Sequence, residues 1–398
     1  MPRLARWMLA SFATLPFFVA PTPVRAEDPP ADKPEKPEKP EKKETNDEKP
    51  FDDWKICKQR GAKHNRDRAE FWTTKGAGGK DLLWVAKMWN RALEFGKAAE
   101  VYLAFLAWTP DAADTTGQAA NQKNRPLALA DLVEVYFRAK EYAKCLETAE
   151  KFRTDFPDAG GMSLFGWDIP GHAARMAGDE AKALELFEKA AETKFVGGVL
   201  DLVDVHLAAG RVDDAKAALA KWTAVLEKGG KELAWMKEVL DAVGTAQASL
   251  EGVRSIGTSE APAAIDKPTL LYQWTMQTGN ADRSLREIEI MRRGFGDALA
   301  AMGVATFKKY NPQTSKIEAD MTEDQETEFY KRMISETFIT PQPPHILVTQ
   351  AWLDTLKMKW DRQVVILDKQ GKLRYARLNQ EKPWDYAAIE LAAKALTK

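Results

Sequence analysis

Residues 363–378 read QVVILDKQGKLRYARL, and the fold of the C-terminal third follows from how this stretch is read. Gln363–Asp368 and Leu373–Leu378 are short runs dominated by aliphatic and aromatic side chains. Between them Lys369-Gln370-Gly371-Lys372 is polar and carries a glycine, the residue that turns most freely through positive φ. The stretch therefore predicts a β-hairpin. Working upstream, Leu270–Trp274 predicts a strand, Ala281–Arg293 a helix with one apolar face, Gly303–Tyr310 a second strand and Glu323–Thr337 a second helix. Downstream, Asp385–Leu396 predicts a closing helix. The order βαβ, α, ββα predicts a sheet layered with helices over residues 265–398.

The preceding half is patterned differently. From residue 51 to 253 the apolar spacing is helical throughout, and Gly, Pro and Asp turns punctuate it. Four helices align on a small residue, Ala98, Cys145, Ala183 and Ala215. Apolar or small residues follow four and seven positions later: Tyr102 and Phe105, Ala149 and Phe152, Phe187 and Ala190, Leu219 and Trp222. Nine positions earlier lie Trp89, Tyr136, Ala174 and His206, on the preceding helix. Pro110 and Pro157 stand where the first two helices must stop. The intervals of 47, 38 and 32 residues imply insertions, Asp111–Pro126 among them. Lys231–Leu250 is expected to cap the stack, and residues 254–264, rich in small residues and proline, to link the two halves.

The N-terminus is read separately. Arg3 and Arg6 precede an uncharged apolar run, Trp7–Ala20, and Val24-Arg25-Ala26 offers small residues to a signal peptidase. Residues 1–26 are expected to be a cleaved signal peptide that exports the chain to a periplasmic or other extracytoplasmic compartment. The apolar run is shorter than the roughly 20 residues a span needs, so no transmembrane segment is expected in the mature chain. Loss of Arg3, Arg6 and Arg25, with no acid, takes the formal charge from −1 to −4. That balance gives no reason to expect nucleic acid as a partner. Residues 27–50 repeat Lys-Pro-Glu with almost nothing apolar, a low-complexity linker expected to stay extended.

Two families are resembled. The helical half, most clearly in Glu134–Asp158 and Ala177–Glu192, resembles the tetratricopeptide repeat, a helical hairpin with a small residue at the crossing. The C-terminal third resembles the thioredoxin-like domain of extracytoplasmic thiol–disulfide oxidoreductases. TLLYQWTMQTGNADRSLREIEIM and the hairpin quoted above carry that likeness. Together they imply a multidomain chain, an all-α repeat domain followed by an α/β thioredoxin-like domain. In active members Trp is followed by a short spacer and Cys-x-x-Cys at the helix start. Aligned on Trp274, those cysteines fall on Thr278 and Ala281, with Gly279 and Asn280 between them. The family's cis-proline falls on Arg362.

A thiolate at a helix start attacks a disulfide because the helix dipole and free N–H groups stabilise it. Thr278 has no comparable acidity and Ala281 has no nucleophile. The chain has two cysteines, Cys57 and Cys145, both in the helical half. Cys145, at a crossing position, is expected to be buried. Cys57 is the thiol expected to be exposed, and one disulfide between them is left open. Capping accounts for Thr278, Asn280, Asp282 and the Ser284-x-x-Glu287 pair.

Of the thirteen tryptophans, Trp84, Trp89, Trp222 and Trp235 fall in core patterns. His64, His172, His206 and His345 form no close pair in sequence, so neither metal nor cofactor is expected. The loop FGWDIP, with Phe165, Trp167 and Asp168, is the candidate for contact with a partner. The functional expectation is a non-enzymatic scaffold whose helical groove holds a protein or peptide partner. The alternative is an oxidoreductase-related envelope protein whose partner supplies the thiols.

Overall fold

A computed structural model describes residues 49–58, 60–226, 230–257, 259–275, 281–308, 310–311, 316–318, 320–338, 342–379 and 381–398. The expected signal peptide and nearly all of the Lys-Pro-Glu stretch lie outside these residues. Among the described residues no helix is long and apolar enough to cross a membrane. The described residues form two compact units, within residues 49–135 with 154–162, and within residues 136–153 with 163–398.

The first unit is helical: α1 (Pro50–Cys57), α2 (Ala62–Thr74), α3 (Leu82–Arg91), α4 (Phe95–Ala107) and α5 (Thr115–Arg138) as far as Val135. α3 and α4 form a hairpin that turns at Leu93, where φ is 64°. Leu83, Val85, Met88 and Trp89 meet Ala98, Tyr102 and Phe105 across it, all buried. The insertion expected over residues 111–126 is helical from Thr115, and α5 runs through Pro126. Its Ala, Gln, Lys and Asn residues are compatible with helix. A proline there removes one N–H but leaves the flanking turns intact. Cys57, expected to be exposed, is fully buried where α1 ends.

The second unit starts with α6 (Tyr142–Asp155, as far as Arg153). A π-helical turn, Met162–Asp168, leads into α7 (Ile169–Met176). Then follow α8 (Glu180–Glu192), α9 (Val196–Ala208), α10 (Val212–Thr223) and α11 (Gly230–Ala242). The crossing residues Cys145, Ala183 and Ala215 are fully buried. α8 and α9 approach so closely that a Cβ at Gly198 would lie 2.6 Å from the Ala190 methyl. Of the tryptophans read as core, Trp89, Trp222 and Trp235 are buried and Trp84 is half-buried. His206, at the corresponding position of its hairpin, is half-buried.

The same unit continues into a six-stranded sheet ordered β1-β6-β3-β2-β7-β8. The strands are β1 (Arg254–Ser255), β2 (Thr269–Gln273), β3 (Ala300–Thr306), β6 (His345–Val348), β7 (Gln363–Leu367) and β8 (Leu373–Leu378). A two-stranded ribbon of β4 (Tyr310–Asn311) and β5 (Lys316–Ile317) stands apart from it. β2 runs parallel to β3 and β3 to β6, whereas β7 pairs antiparallel with β2, and β8 antiparallel with β7. β2, β6 and β7 are buried along their whole length, as expected of strands covered on both faces. The helices are α12 (Ala281–Gly294), α13 (Glu323–Thr337), α14 (Gln350–Thr355) and α15 (Pro383–Leu396).

The arrangement β2-α12-β3 with β7-β8-α15 follows the order expected from the sequence, and β6 and β1 extend the sheet beyond β3. β3 starts and ends earlier than the strand expected over 303–310. The stretch expected to be a linker, 254–264, contributes β1, which pairs antiparallel with β6. At the other edge Gly244 donates to the Leu373 carbonyl (2.8 Å) and Leu373 to that of Ala246 (2.9 Å). Both edges of the sheet are thus occupied by chain leaving the helices, which protects unpaired strand groups.

Candidate functional site

Two polar sites flank this sheet, and the sequence pointed to only one. That one is the corner after β2. Trp274 is fully buried, edge-on to Tyr330 (5.4 Å) and His345 (5.4 Å) and tilted against Phe338 (5.0 Å). Ala281 opens α12 with its methyl buried. Thr278, Gly279 and Asn280 lie outside the described residues. Ser284, expected to cap α12, sits a full turn inside it; it is buried and donates to Glu381 Oε1 at 2.8 Å.

Opposite stands Arg362, in left-handed backbone at φ 67°. Its N–H donates to the Gln273 carbonyl at 2.8 Å, and its Nε lies 3.6 Å from Glu381 Oε1. Thr275 donates to Asp361 at 3.0 Å. Beside them lies an open groove of about 520 Å³ lined by Glu232 of α11, Trp360, Asp361, Arg362, Asn379 and Lys382 among others.

His345 lies under the corner, and burial pushes its imidazole down to about 3, so it is neutral across physiological pH. Both its ring nitrogens lack hydrogen-bond partners. Gly303 makes room for it, since a Cβ there would lie 2.5 Å from His345 Nδ1. None of the described groups at the corner is a thiol. Cys57 and Cys145 are free and buried. Burial pushes Cys145 up to about 12 and, with the Asp53 charge, Cys57 up to about 11.

The second site is a dry cluster of charges between α7, α9, β8 and α15. Helical and strand periodicity assemble it. Asp168 and His172 are one turn apart, as are His172 and Arg175, and Asp201 and Asp204, while Tyr375 and Arg377 share one face of β8. Arg377 is the hub: Nη1 donates to Asp201 Oδ1 at 2.7 Å, and Nη2 to Asp385 Oδ1 at 2.7 Å. Asp204 accepts from Arg175 and from the Tyr375 hydroxyl. Asp385, in the first turn of α15, also accepts from the Lys382 N–H at 3.1 Å. All seven ionisable side chains, Asp168, His172, Arg175, Asp201, Asp204, Arg377 and Asp385, are buried.

Burial opposes each charge, and the neighbours decide the outcome. Burial would neutralise Arg377, but Asp201, Asp204 and Asp385 hold it firmly protonated. For Asp201 burial is outweighed by Arg377 and His172, and its carboxyl sits well below the usual range. Asp168 is pushed well up, by burial first and then by the Asp201 charge. Asp168 was the sequence candidate for partner contact, yet its carboxyl is 2 % exposed and faces this cluster. Phe165 and Trp167 are half-buried on the helical turn, and Arg153 covers the Trp167 ring at 4.4 Å. The signals that would have found the cluster are two aspartates three apart in the otherwise apolar VLDLVDV, and an arginine facing inward on β8.

No family model matches the chain, and no curated protein matches it. Solved structures do resemble it over part of its length. A thioredoxin-like protein from Aeropyrum pernix is 11% identical over 41% of this chain and 99% of that one, with a TM-score of 0.26. MTB DsbF, in mixed oxidised and reduced forms, is 12% identical over 32% and 81%, with a TM-score of 0.22. A thioredoxin-like protein in its oxidised form is 16% identical over 37% and 95%, at 0.23. Such likenesses concern the fold alone.

Proposed function

We propose that the protein is an exported, non-catalytic binding protein. A tetratricopeptide-like helical array and a redox-inactive thioredoxin-like module hold a protein or peptide partner. The observation that carries this reading is where the thiols are. Residues 146–398 contain no cysteine, Ala281 occupies a helix start, and Cys57 and Cys145 are buried with raised pKa. At neutral pH a thiol at 11 or 12 is thiolate in only about one molecule in ten thousand or fewer, and the thiolate is the attacking species. What the corner retains is a groove with a tryptophan, two cations and two carboxylates along its wall, suited to an extended polar chain.

The test is insulin-disulfide reduction in dithiothreitol by the untagged full chain, with a thioredoxin as positive control. Turnover no faster than dithiothreitol alone is expected; acceleration would overturn the reading. Crosslinked partners should be lost from a W360A/R362E variant that melts like the parent. The thioredoxin-like sheet also supports a second reading, in which the module presents a partner that carries its own cysteine pair. That reading requires the captured partner to lose function when those cysteines are replaced.

A further inference from the structure

We infer that Asp168, His172 and Asp201 form a buried site for one divalent transition-metal ion, of which Zn²⁺ is the natural probe, set between the helices and the sheet of the second unit. Two observations lead there. The first is geometric. One donor atom from each residue lies within 4.8 Å of the other two, and all three residues are buried. His172 Nε2 is 3.3 Å from Asp201 Oδ2. Two ligands held about 2.0–2.1 Å from a tetrahedral zinc are themselves roughly 3.3 Å apart.

The second is hydrogen bonding. Although His172 Nε2 is that close to the Asp201 carboxylate, it makes no well-directed hydrogen bond. Asp168 Oδ1 is likewise unpartnered. Buried polar atoms on adjacent turns left without a well-made hydrogen bond call for an explanation, and a bound ion supplies one.

The remaining contacts fit the supporting shell of such a site. Asp201 divides its carboxylate, with Oδ1 taken by Arg377 and Oδ2 left toward His172. Ligating carboxylates are commonly oriented by a second bond of this kind. The imidazole is held edge-on by Phe187 at 4.9 Å and stacked by Trp384 at 6.5 Å. Nitrogen and carboxylate donors suit zinc, and also manganese, iron, cobalt and nickel. Every ligand is buried, so the ion would be taken up during folding and would act structurally, joining α7 to α9 beneath β8 and α15.

The rival is a cluster that satisfies its own side chains with no ion, and the experiment separates the two. Untagged full chain is unfolded in denaturant with a chelator, then refolded with and without one equivalent of Zn²⁺ or Co²⁺. About one retained equivalent of metal is expected by elemental analysis. Zn²⁺ should raise Tm by more than about 5 °C. The Co²⁺ form should show visible absorption of low-coordinate Co²⁺ that D168N and H172Q each reduce at least tenfold at unchanged far-UV circular dichroism. If the variants do not fold, the parent decides the matter alone. In the Zn²⁺ form the ¹⁵N shift of the His172 ring should report a metal-bound Nε2. Cooperatively folded parent holding less than about a tenth of an equivalent, with Tm unmoved by either ion and an imidazolium at His172, would overturn the proposal.

Discussion

The corner and the charge cluster sit on the same sheet but obey opposite electrostatics. At the corner, Arg362 and Asp361 are each about one-third exposed, and their ion-pair partners stand 3.6 and 3.8 Å away. Pairs like these are screened and contribute little. In the cluster, Arg377 is surrounded by three carboxylates at a side-chain exposure of 10 %. Those charges are not available to anything from outside. They belong to the joint between α7, α9, β8 and α15, and their energetics are those of an all-or-nothing network. The place where the resemblance predicts chemistry is therefore electrostatically soft, and the place the sequence did not mark is hard.

The largest effect should come from breaking the hard site. Arg377→Ala leaves Asp201, Asp204 and Asp385 buried without their shared cation, a loss of about 3–5 kcal/mol. Chemical denaturation should show the midpoint collapsing, or the second unit failing to fold. A variant replacing the whole network with apolar residues of similar volume should recover most of that loss. If Arg377→Ala loses less than about 1 kcal/mol, the cluster is not a dry network and the contrast fails.

The soft site should also resist being restored. Arg362 stands where the thioredoxin-like pattern places proline, but its φ of 67° is far outside proline's range and its N–H is bonded to Gln273. Arg362→Pro should therefore lose about 3 kcal/mol, by eliminating that bond and forcing the backbone. A neutral or stabilising Arg362→Pro would mean that the corner accepts a proline backbone at this position.

These two sites were unequally legible in the sequence. The hairpin, the helix at Ala281, α13 and the closing helix follow from local periodicity and one turn glycine, and they appear within a few residues of where they were expected. Arg362 was found by alignment on a motif. The cluster was out of reach for a different reason. Asp201 meets Arg377 from 176 positions away in sequence, and periodicity reports which face a residue occupies, not what the facing element brings. Asp168 illustrates the limit. Beside Trp167 and Pro170 it reads as an exposed binding loop, whereas in the fold it is the first residue of a ligand-like turn directed inward. Similarly, residues 254–264 read as a linker because small residues and prolines dominate. Composition cannot reveal that Arg254 and Ser255 find an open strand edge at β6.

Gly303 gives a smaller break. It lies on β3 beneath the corner, where an added methyl would meet His345 Nδ1 at 2.5 Å and Leu285 Cδ2 at 3.0 Å. Neither neighbour has space to retreat, since both are fully buried. Gly303→Ala should lose about 2 kcal/mol by overpacking, read as a lower urea midpoint at unchanged slope. A Gly303→Ala/His345→Ala double variant should lose less than the sum of its two single variants.

His345 itself gives the most graded test. Its imidazole is lowered by burial to about 3 in the native state, whereas an unfolded chain takes the proton near pH 6.5. Between those values the unfolded state binds more protons, so stability rises with pH there. The contribution is complete above about pH 6.5 and is lost at roughly 1.4 kcal/mol per pH unit as the pH falls toward 3. Carboxylates elsewhere add their own slope, so the informative quantity is the difference between the parent and His345→Gln. That difference should shrink steadily from pH 7 to pH 4, because the variant has no imidazole to titrate in either state. Parallel curves would place His345 in contact with water, and the apolar floor of the corner would then be wet.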